Sequence, residues 1–599
     1  MSIYQKTYGV KLTMGSCSPM KAGVTSPFKL MDAVFMFMAV LLFVGNVQGN
    51  IVPGDTPNWP KLEGEKARGD STNPFYRELP VARWTTVSFQ SYSKPFPVGL
   101  VAFHGCGQAL GNEGIEKVEF IANNGQVVTV GEPSPNPETG RWEWWAYVDP
   151  AKNDGVVEVR AIIYPYSGLT RILQGGFSEN LGPGQNVPDN EQSVVLWSNQ
   201  SNTFTRPDMW VSISGSDELG DGTQAKPFRT IHTAVYNGYH GNADFGRILL
   251  TKGTYPMHNI TWDAYLNSKG WFVIEAAPGE KRENVIIGGN TELGASTRYR
   301  TICFRNLTFD YTIQSTPTLS SPSIYLQNNI WLDGVSISGV DATTSFGNFF
   351  SGVRLAAVTG NSSYRVKWSK FKGGPTAPIV IGVDVSHCSG DVFTGVPLIR
   401  DWTVSDTVML AADHPDLWQS FGSNPNRILM DGKIIGGEIQ LIFLDATLYN
   451  NTDLAMVNVV LAAKGGGLAQ IGAPLRNVLF WNIELVGQDL SIPQLVGAAP
   501  TFGMFGSILS KVGLSLDQKP ETYQWTQNQF ARDQVTGTRS AVFNPEYTSS
   551  FVATNPMEIP SRTVRWDLEQ KERKLPYFCG AYSTRSSGKK HEYNLRIGK

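Results

Sequence analysis

A repeated strand–corner–strand unit is the feature that most constrains the fold of this 599-residue chain. Copies recur every ~22 to 36 residues, which is the spacing of repeat proteins. Each copy has an apolar strand, a small or polar corner residue and a second strand of alternating polarity; the corner residues are Asn306, Gly334, Ser369, Asp401, Gly432, Asn458 and Asn482. One unit cannot bury its apolar face alone, whereas stacked units share a continuous core. The pattern predicts a parallel β-solenoid over residues 210–500.

The corner positions carry residue types that suit a sharp change of direction. Asn, Asp and Gly tolerate a left-handed backbone, and their side chains can bond to the neighbouring coil. We therefore expect Asn306 and Asn458 to belong to a ladder of stacked corner residues.

The region before the repeats has a different pattern of apolar and polar residues. The stretch "KVEFIANNGQVVTV" has two alternating runs around Asn-Asn-Gly, which predicts a hairpin because such turn residues accept a positive φ. Close spacing of short strands predicts a small immunoglobulin-like β-sandwich over residues 80–178. Residues 50–79 and 179–209 are predicted linkers, and residues 501–599 a C-terminal extension that packs on the last coils.

The start of the repeat region resembles a known superfamily. "GSDELGDGTQAKPF" followed by "RTIHTAV" is similar to the N-terminal opening of right-handed parallel β-helix proteins of the pectate-lyase-like superfamily. The resemblance covers roughly half of the chain and implies a tight turn followed by a capping helix. It implies an all-β fold, in which a right-handed parallel β-helix follows the sandwich. The superfamily includes polysaccharide lyases, glycoside hydrolases, uronate epimerases, phage tailspikes and non-catalytic surface proteins.

The N-terminal residues predict export. An apolar core at residues 33–44 is shorter than the ~20 residues of a spanning helix but suits a secretory signal. Residues 1–49 are therefore a predicted signal peptide or signal-anchor, with residues 31–49 as the candidate membrane anchor. We expect a secreted or cell-surface protein.

Charge and cysteine content exclude other classes. The formal net charge is −2 and the sequence has no long Lys/Arg run, which argues against a nucleic-acid partner. The five cysteines are far apart and lack the spacing of a zinc site. An acidic polysaccharide is the expected partner, and the sequence leaves the oligomeric state open.

The stretch "LAADHPDLWQSFGSN" carries the densest set of candidate site residues. It contributes Asp413, His414 and Asp416 as candidate catalytic groups, and Trp418 and Gln419 as candidate substrate-binding groups. Adjacent coils of a solenoid stack ~4.8 Å apart. The preceding coil could therefore add Asp391 as a catalytic group, with His387 and, from a later coil, Lys464 as substrate-binding groups.

Several chemistries are compatible with these residue types. Glycoside hydrolysis requires two carboxylates. Elimination or epimerisation of a uronate requires a base, for which His414 is suited, and a group that neutralises the sugar carboxylate. Lys464 or a Ca²⁺ ion held by the aspartates could neutralise it, although no cofactor is firmly indicated. The pairing of a histidine with potential Ca²⁺ ligands favours lyase or epimerase over hydrolase.

Two simpler interpretations stay open. Asp-His-Pro-Asp is also a good turn sequence, because Asp caps turns and Pro restricts φ. A β-solenoid need not be an enzyme. The alternative function is a non-catalytic surface, adhesion or viral spike protein that uses the solenoid as a glycan-binding scaffold.

Overall fold

The structure is a computed structural model. It describes residues 67–173, 194–198, 208–239, 247–256, 271–293, 301–310, 324–339, 348–356, 365–408, 415–421, 426–445, 452–464, 470–471, 475–492, 501–514, 523–536, 564–573 and 581, with short gaps inside several of these ranges. The predicted signal or anchor lies outside the described residues. Within the described ranges, no helix has the length and apolar character needed to cross a membrane.

The first part of the chain forms two mainly antiparallel sheets. One sheet has the order β1-β3-β7-β6 and the other β2-β10-β8-β4-β5, with β9 paired to β8. The strands are β1 (Val81–Trp84), β2 (Ser91–Tyr92), β3 (Phe96–Phe103), β4 (Ile115–Ala122), β5 (Val127–Val130), β6 (Ser134–Pro135), β7 (Trp142–Val148), β8 (Gly155–Pro165), β9 (Arg171–Leu173) and β10 (Val194–Ser198).

The two sheets enclose a shared apolar core. Leu100 and Trp144 from one sheet and Phe120 and Val159 from the other are all buried in this core. The hairpin predicted around Asn-Asn-Gly is present, since β4 and β5 pair antiparallel and Gly125 has φ 90°. This part of the chain is therefore a β-sandwich, while its assignment to the immunoglobulin class stays a prediction.

Two titratable groups buried in the sandwich give opposite dependences of stability on pH. Burial raises the pKa of Glu113 to about 7 and lowers the pKa of His104 to about 4. Glu113 therefore lowers the free energy of unfolding as pH rises from the unfolded value of 4.5 to 7, because the folded state retains a proton that the unfolded state releases. His104 has the opposite effect, because its loss of stability develops as pH falls from 6.5 towards 4.

Replacing Glu113 by Gln isolates one of these effects. The variant should become more stable than the parent as pH rises from 4.5 to 7, with a gain of up to about 3 kcal/mol above pH 7. The amide keeps an oxygen that can accept the 3.1 Å hydrogen bond from the Arg565 backbone N–H. Chemical denaturation at several pH values measures the difference. A difference that is independent of pH would contradict the buried, protonated state of Glu113.

The second part of the chain is a stack of parallel strands, and among its described residues one short α-helix follows the first strand. The helix α1 (Ile231–Tyr239) follows β11 and packs on the first rungs, as the capping-helix prediction requires. Its amino end is capped by Asp217, whose carboxylate accepts the backbone N–H groups of Arg229 and Thr230. The strands are β11 (Met209–Val211), β12 (Arg247–Leu250), β13 (Gly253–Pro256), β14 (Trp271–Ala276), β15 (Val285–Gly288), β16 (Thr291–Leu293), β17 (Thr301–Arg305), β18 (Thr308–Asp310), β19 (Ile324–Gln327), β20 (Ile330–Asp333), β21 (Ser336–Ser338), β22 (Asn348–Ser351), β23 (Arg354–Ala356), β24 (Val366–Ser369), β25 (Ile379–Ser386), β26 (Phe393–Thr394), β27 (Leu398–Ser405), β28 (Asp416–Phe421), β29 (Arg427–Glu438), β30 (Gln440–Asp445), β31 (Thr452–Lys464), β32 (Gln470–Ile471), β33 (Leu475–Trp481), β34 (Glu484–Ile492), β35 (Thr501–Phe505), β36 (Ile508–Leu514), β37 (Tyr523–Thr526), β38 (Gln529–Phe530) and β39 (Val535–Thr536), with a 3₁₀ turn at Arg282–Asn284.

These strands form three parallel ladders, so the all-β, solenoid-like architecture is confirmed. The first ladder runs through β11, β12, β14, β17, β20, β23 and the first parts of β25, β27, β29 and β31, and ends with β33, β35 and β37. The second runs through β13, β15, β18, β21 and β24, then through the second parts of β25, β27, β29 and β31, to β34, β36 and β38. Shorter pairings such as β16-β19-β22 and β26-β28-β30-β32 form the third. Parallel pairing continues to Thr536, beyond the predicted solenoid boundary at residue 500.

The corner between the first and second ladders carries left-handed residues, as predicted. Asn306, Gly334, Asp401, Asn458 and Asn482 have φ between 51° and 63°. Two predicted positions need correction, because the left-handed residue is Asp431 rather than Gly432, and Lys370 rather than Ser369. Lys370 follows the second ladder instead of preceding it, so it belongs to another corner.

The predicted ladder of corner residues is present where side-chain contacts join successive coils. Asn482 donates to the Asn458 side chain at 3.2 Å, and Asn458 donates to the Asp431 carboxylate at 3.0 Å. Asn306 reaches the Glu280 carbonyl oxygen at 3.5 Å. These contacts satisfy buried polar groups that would otherwise destabilise each corner.

The outward surface of the first ladder is covered by the sandwich. Phe103 and Trp142 of the sandwich share an apolar cluster with Leu398, Met430 and Trp481 of the first ladder. The first half of β27 is consequently buried on both sides, whereas its second half alternates between buried and partly exposed residues. A strand covered on both faces is continuously apolar, and a strand with one solvated face alternates. The sandwich is therefore docked on the solenoid, and it leaves the outer surface of the second ladder in contact with solvent.

Candidate functional site

The structure gives Asp416 and Asp391 a structural role. Asp413 and His414 lie outside the described residues. Asp416 begins β28 and is fully buried. Its backbone N–H donates to the Asp391 carboxylate at 3.1 Å, and its carbonyl oxygen accepts the Val392 N–H at 2.7 Å. Asp391 thus braces one coil against the next.

Two candidate substrate-binding residues point away from solvent. Trp418 is fully buried in the solenoid core, and its indole N–H donates to the Val396 carbonyl oxygen at 3.1 Å. Its ring cannot stack on a sugar from this position, so that expectation is corrected. Gln419 is 4% exposed. Trp418 points into the solenoid core, whereas Gln419, the next residue along the strand, points to the opposite face and is buried there.

The remaining candidates are not brought to this position. His387 is exposed and occupies a left-handed corner with φ 54°, where its backbone N–H donates to the Ser405 carbonyl oxygen. Lys464 is the last residue of β31, and its backbone lies in register with Glu438 of β29. Its side chain lies outside the described residues. Within the described part of the chain, no cluster of three or more His, Cys, Asp or Glu side chains could hold a metal ion.

A different set of residues forms an organised polar surface on the second ladder, near His387. We call it the polar face. It consists of the partly or fully exposed outward side chains from β18 to β29, which alternate with buried residues, namely Thr308, Asp310, Ser336, Ser338, Lys367, Ser369, Asp384, Ser386, Thr403, Ser405 and Lys433. Six parallel strands at ~4.8 Å spacing give this surface a length of about 24 Å along the solenoid axis.

Two rows of side chains in register run along the polar face from rung to rung, parallel to the solenoid axis. Four serines occupy the same position on consecutive rungs, namely Ser338, Ser369, Ser386 and Ser405. The adjacent row contains Ser336, Lys367, Asp384, Thr403 and Lys433. Hydroxyl groups both donate and accept hydrogen bonds, and lysines supply flexible positive charges. Such rows present a repeated set of partners to a ligand that also repeats.

Charged residues lie at the edge of the polar face. Lys370, His387 and Asp406 occupy successive left-handed corners at the end of the second ladder, and all three are exposed. Lys367 and Lys370 concentrate positive charge on a single coil, while Asp384 on the next coil is paired with Arg365. This pattern is compatible with carboxylate or sulfate groups on a bound chain.

Most of the polar face escaped the sequence interpretation. The signal is present in "VKWS", "VDVS" and "WTVS", where every second residue is polar. Alternation of this kind indicates which side chains point outwards from a half-buried strand. It does not indicate which of three ladders carries the strand, and that placement decides whether the outward surface meets solvent or another domain.

Comparisons with known proteins give two similar solved structures. No protein-family model and no curated protein matches the sequence. A GH136 lacto-N-biosidase from Eubacterium ramulus is similar with 10% identity and a TM-score of 0.22, over 54% of this chain and 67% of that chain. The catalytic domain of a GH87 α-1,3-glucanase, in complex with tetrasaccharides, is similar with 12% identity and a TM-score of 0.23, over 78% of this chain and 97% of that chain. Neither similarity is close enough to transfer a site or an activity to this chain.

Proposed function

We propose that this protein is a glycan-binding solenoid whose polar face binds an acidic polysaccharide along the solenoid axis. The observation that supports this is the pair of in-register rows on the surface that the sandwich leaves open, which consist of serine, threonine and lysine with one aspartate, Asp384. A repeating array of hydroxyl groups can bond to the hydroxyl groups of a repeating glycan, and the Lys367 and Lys433 ammonium groups can pair with its anionic groups. The protein would act as a surface or adhesion scaffold, or as a spike of viral type.

We also propose a right-handed β-helix, an immunoglobulin-like sandwich and a secreted or cell-surface location. Parallel β connections within a sheet are right-handed in the great majority of proteins, which supports a right-handed β-helix. The two-sheet sandwich with a shared core supports the immunoglobulin-like prediction. The apolar core at residues 33–44 supports a secreted or cell-surface location, with residues 31–49 as an anchor if the signal is retained.

Removing the lysines on the polar face and at its edge should weaken binding to an acidic polysaccharide. Replacing Lys367, Lys370 and Lys433 together by Ala should weaken it about 10- to 100-fold, since each exposed charge contact contributes about 0.5–1 kcal/mol. The salt dependence of binding should fall as well, because these contacts are electrostatic. Titration with a polyuronate and with a sulfated glycan, at two salt concentrations, measures both effects.

A matched control replaces Lys571 by Ala. This exposed lysine pairs with Glu569 in the C-terminal segment and lies outside the polar face. Its removal should leave affinity unchanged, and a neutral polysaccharide should bind the parent and the triple variant equally. Binding of acidic polysaccharide that is unaffected by the triple replacement would place the site elsewhere.

Catalysis is the second candidate function, and it rests on Asp413 and His414. In the sequence they precede Asp416 by three and two residues, and the backbone of Asp416 is held by Asp391 and Val392. We infer a lyase or uronate epimerase ahead of a hydrolase, because a histidine base accompanies the carboxylate. Ultraviolet absorbance of unsaturated uronates reports a lyase, and new reducing ends without absorbance report a hydrolase. Loss of either signal in His414→Ala, with unchanged polysaccharide binding, would separate catalysis from the polar face.

A further inference from the structure

Arg365 links the polar face to the corner beneath it. It directly precedes β24 and its side chain is 13% exposed. Its Nε donates to the Asp384 carboxylate at 2.9 Å, and its Nη1 donates to the Asp401 carboxylate at 2.7 Å. Its Nη2 also donates to the carbonyl oxygens of Val383 at 2.9 Å and Asp401 at 3.1 Å. The guanidinium is thus held in one orientation by two carboxylates and two backbone groups.

Asp384 is the carboxylate of the polar face that lies in the same row as Lys367, one rung further along the solenoid. It pairs in register with Lys367 on the preceding rung and with Thr403 on the following rung, and its side chain is 39% exposed. Neighbouring rungs are only ~4.8 Å apart. A carboxylate at this position could therefore pair with the Lys367 ammonium group across the rungs, which would cancel the charge that an anionic ligand requires.

We propose that Arg365 is the specificity-determining residue of the polar face, because it holds Asp384 and keeps Lys367 available to anionic groups of the ligand. This inference rests on the proposed function and identifies how the same surface prefers acidic over neutral glycans. Arg365 is a positioning residue, since it acts through Asp384 and does not itself contact the ligand.

The sandwich contributes to this arrangement. Arg141, which precedes β7 of the sandwich, also forms an ion pair with Asp401. Burial disfavours ionisation of Asp401, but Arg141 and Arg365 outweigh it, and its pKa is lowered. Asp401 is therefore a stable negative anchor for Arg365. The chain of contacts Arg141–Asp401–Arg365–Asp384 connects the docked sandwich to the polar face.

The test compares binding of a polyuronate and of a neutral polysaccharide to four full-length proteins. These are the parent and the variants Arg365→Met, Asp384→Asn and Arg365→Met/Asp384→Asn. Arg365→Met should weaken polyuronate binding about tenfold without changing neutral binding. The double variant should return to within about threefold of the parent, because no carboxylate is left to engage Lys367.

Asp384→Asn alone keeps the inference testable if Arg365→Met does not fold. It should bind the polyuronate within about twofold of the parent, because Arg365 already neutralises this carboxylate. A tenfold gain in Asp384→Asn would overturn the inference, as would a double variant as weak as folded Arg365→Met. Equal binding by the parent and folded Arg365→Met would also overturn it. A parent that binds no acidic polysaccharide would instead reject the proposed function, and this inference with it.

Discussion

Replacing Arg400 by Met is expected to lower the free energy of unfolding by about 3–5 kcal/mol. Arg400 is fully buried between the solenoid and the sandwich, where it donates to the carboxylates of Glu143 at 2.8 Å and Asp431 at 3.2 Å. It also donates to the Trp142 carbonyl oxygen at 2.7 Å. Met replaces the apolar stem of Arg400 but has no guanidinium group, so both carboxylates would stay buried without their cation. Thermal and chemical unfolding measure the loss.

The loss should depend on pH. Burial raises the pKa of Asp431, and Arg400 partly offsets this effect. Without Arg400 the folded state should hold protons more tightly than the unfolded state, so stability should fall as pH rises. The deficit of the variant should accordingly be larger at pH 8 than at pH 5.

Two controls define this prediction. The triple variant Arg400→Met/Glu143→Gln/Asp431→Asn should recover much of the loss, because it leaves no uncompensated buried charge. Lys571→Met breaks an exposed ion pair and should cost about 0.5 kcal/mol or less. A loss below about 1 kcal/mol for Arg400→Met would show that the buried carboxylates find other compensation, and would contradict the prediction.

Replacing Trp566 by Ala should lower stability by a similar amount, about 3–5 kcal/mol. Trp566 lies in the C-terminal segment, is 1% exposed and stacks on Trp142 with a centroid distance of 6.1 Å and an interplanar angle of 9°. Its indole N–H donates to Asp431 at 3.2 Å, and its carbonyl oxygen accepts from Asn458 at 3.0 Å. Truncation would leave a cavity where the sandwich, the corner ladder and the C-terminal segment meet.

Amide hydrogen exchange identifies which part of the protein unfolds locally in the Trp566→Ala variant. The Ala82 amide of β1 donates to the Asn426 side chain across the seam between sandwich and solenoid, at 2.6 Å. It should exchange faster in Trp566→Ala, whereas amides in the sandwich core should change less. Trp566→Phe keeps most of the packing and should cost about 1–3 kcal/mol, mainly through the lost hydrogen bond to Asp431. Unchanged exchange at Ala82, together with unchanged thermal unfolding, would exclude a clamping role for Trp566.

Further buried polar contacts join the sandwich to the solenoid. Arg171 of β9 pairs with Asp453 of β31 at 3.0 Å, with both side chains almost fully buried. The Asn477 side chain donates to the Leu79 carbonyl oxygen at 3.0 Å. Polar groups buried in this way fix the register of the two parts as well as holding them together. The docked sandwich occupies the first ladder and leaves the second ladder as the open surface for a ligand.

The repeat, the corner residues and the capping helix could be predicted from sequence because they depend on local chemistry. A left-handed corner favours Asn, Asp or Gly, and Asn458 and Asn482 between the first two ladders follow this preference, although Lys370 and His387 occupy left-handed corners at the end of the second ladder. Alternating polarity likewise marks a half-buried strand in any fold. The hairpin around Gly125 follows the same rule, since its turn requires a positive φ.

The site was harder to predict because exposure is a property of the assembled chain. Asp416, Trp418 and Gln419 have the residue types of a glycan site, yet all three are buried in the assembled chain. Lys367 and Ser369 have unremarkable residue types, yet they lie on an open surface, where Ser369 is in register with a serine on each neighbouring rung. Arg400 and Glu143 are 257 residues apart and meet only because the sandwich docks on the first ladder. Local sequence specifies backbone geometry, whereas long-range packing selects which side chains meet solvent, since burial depends on contacts between distant segments.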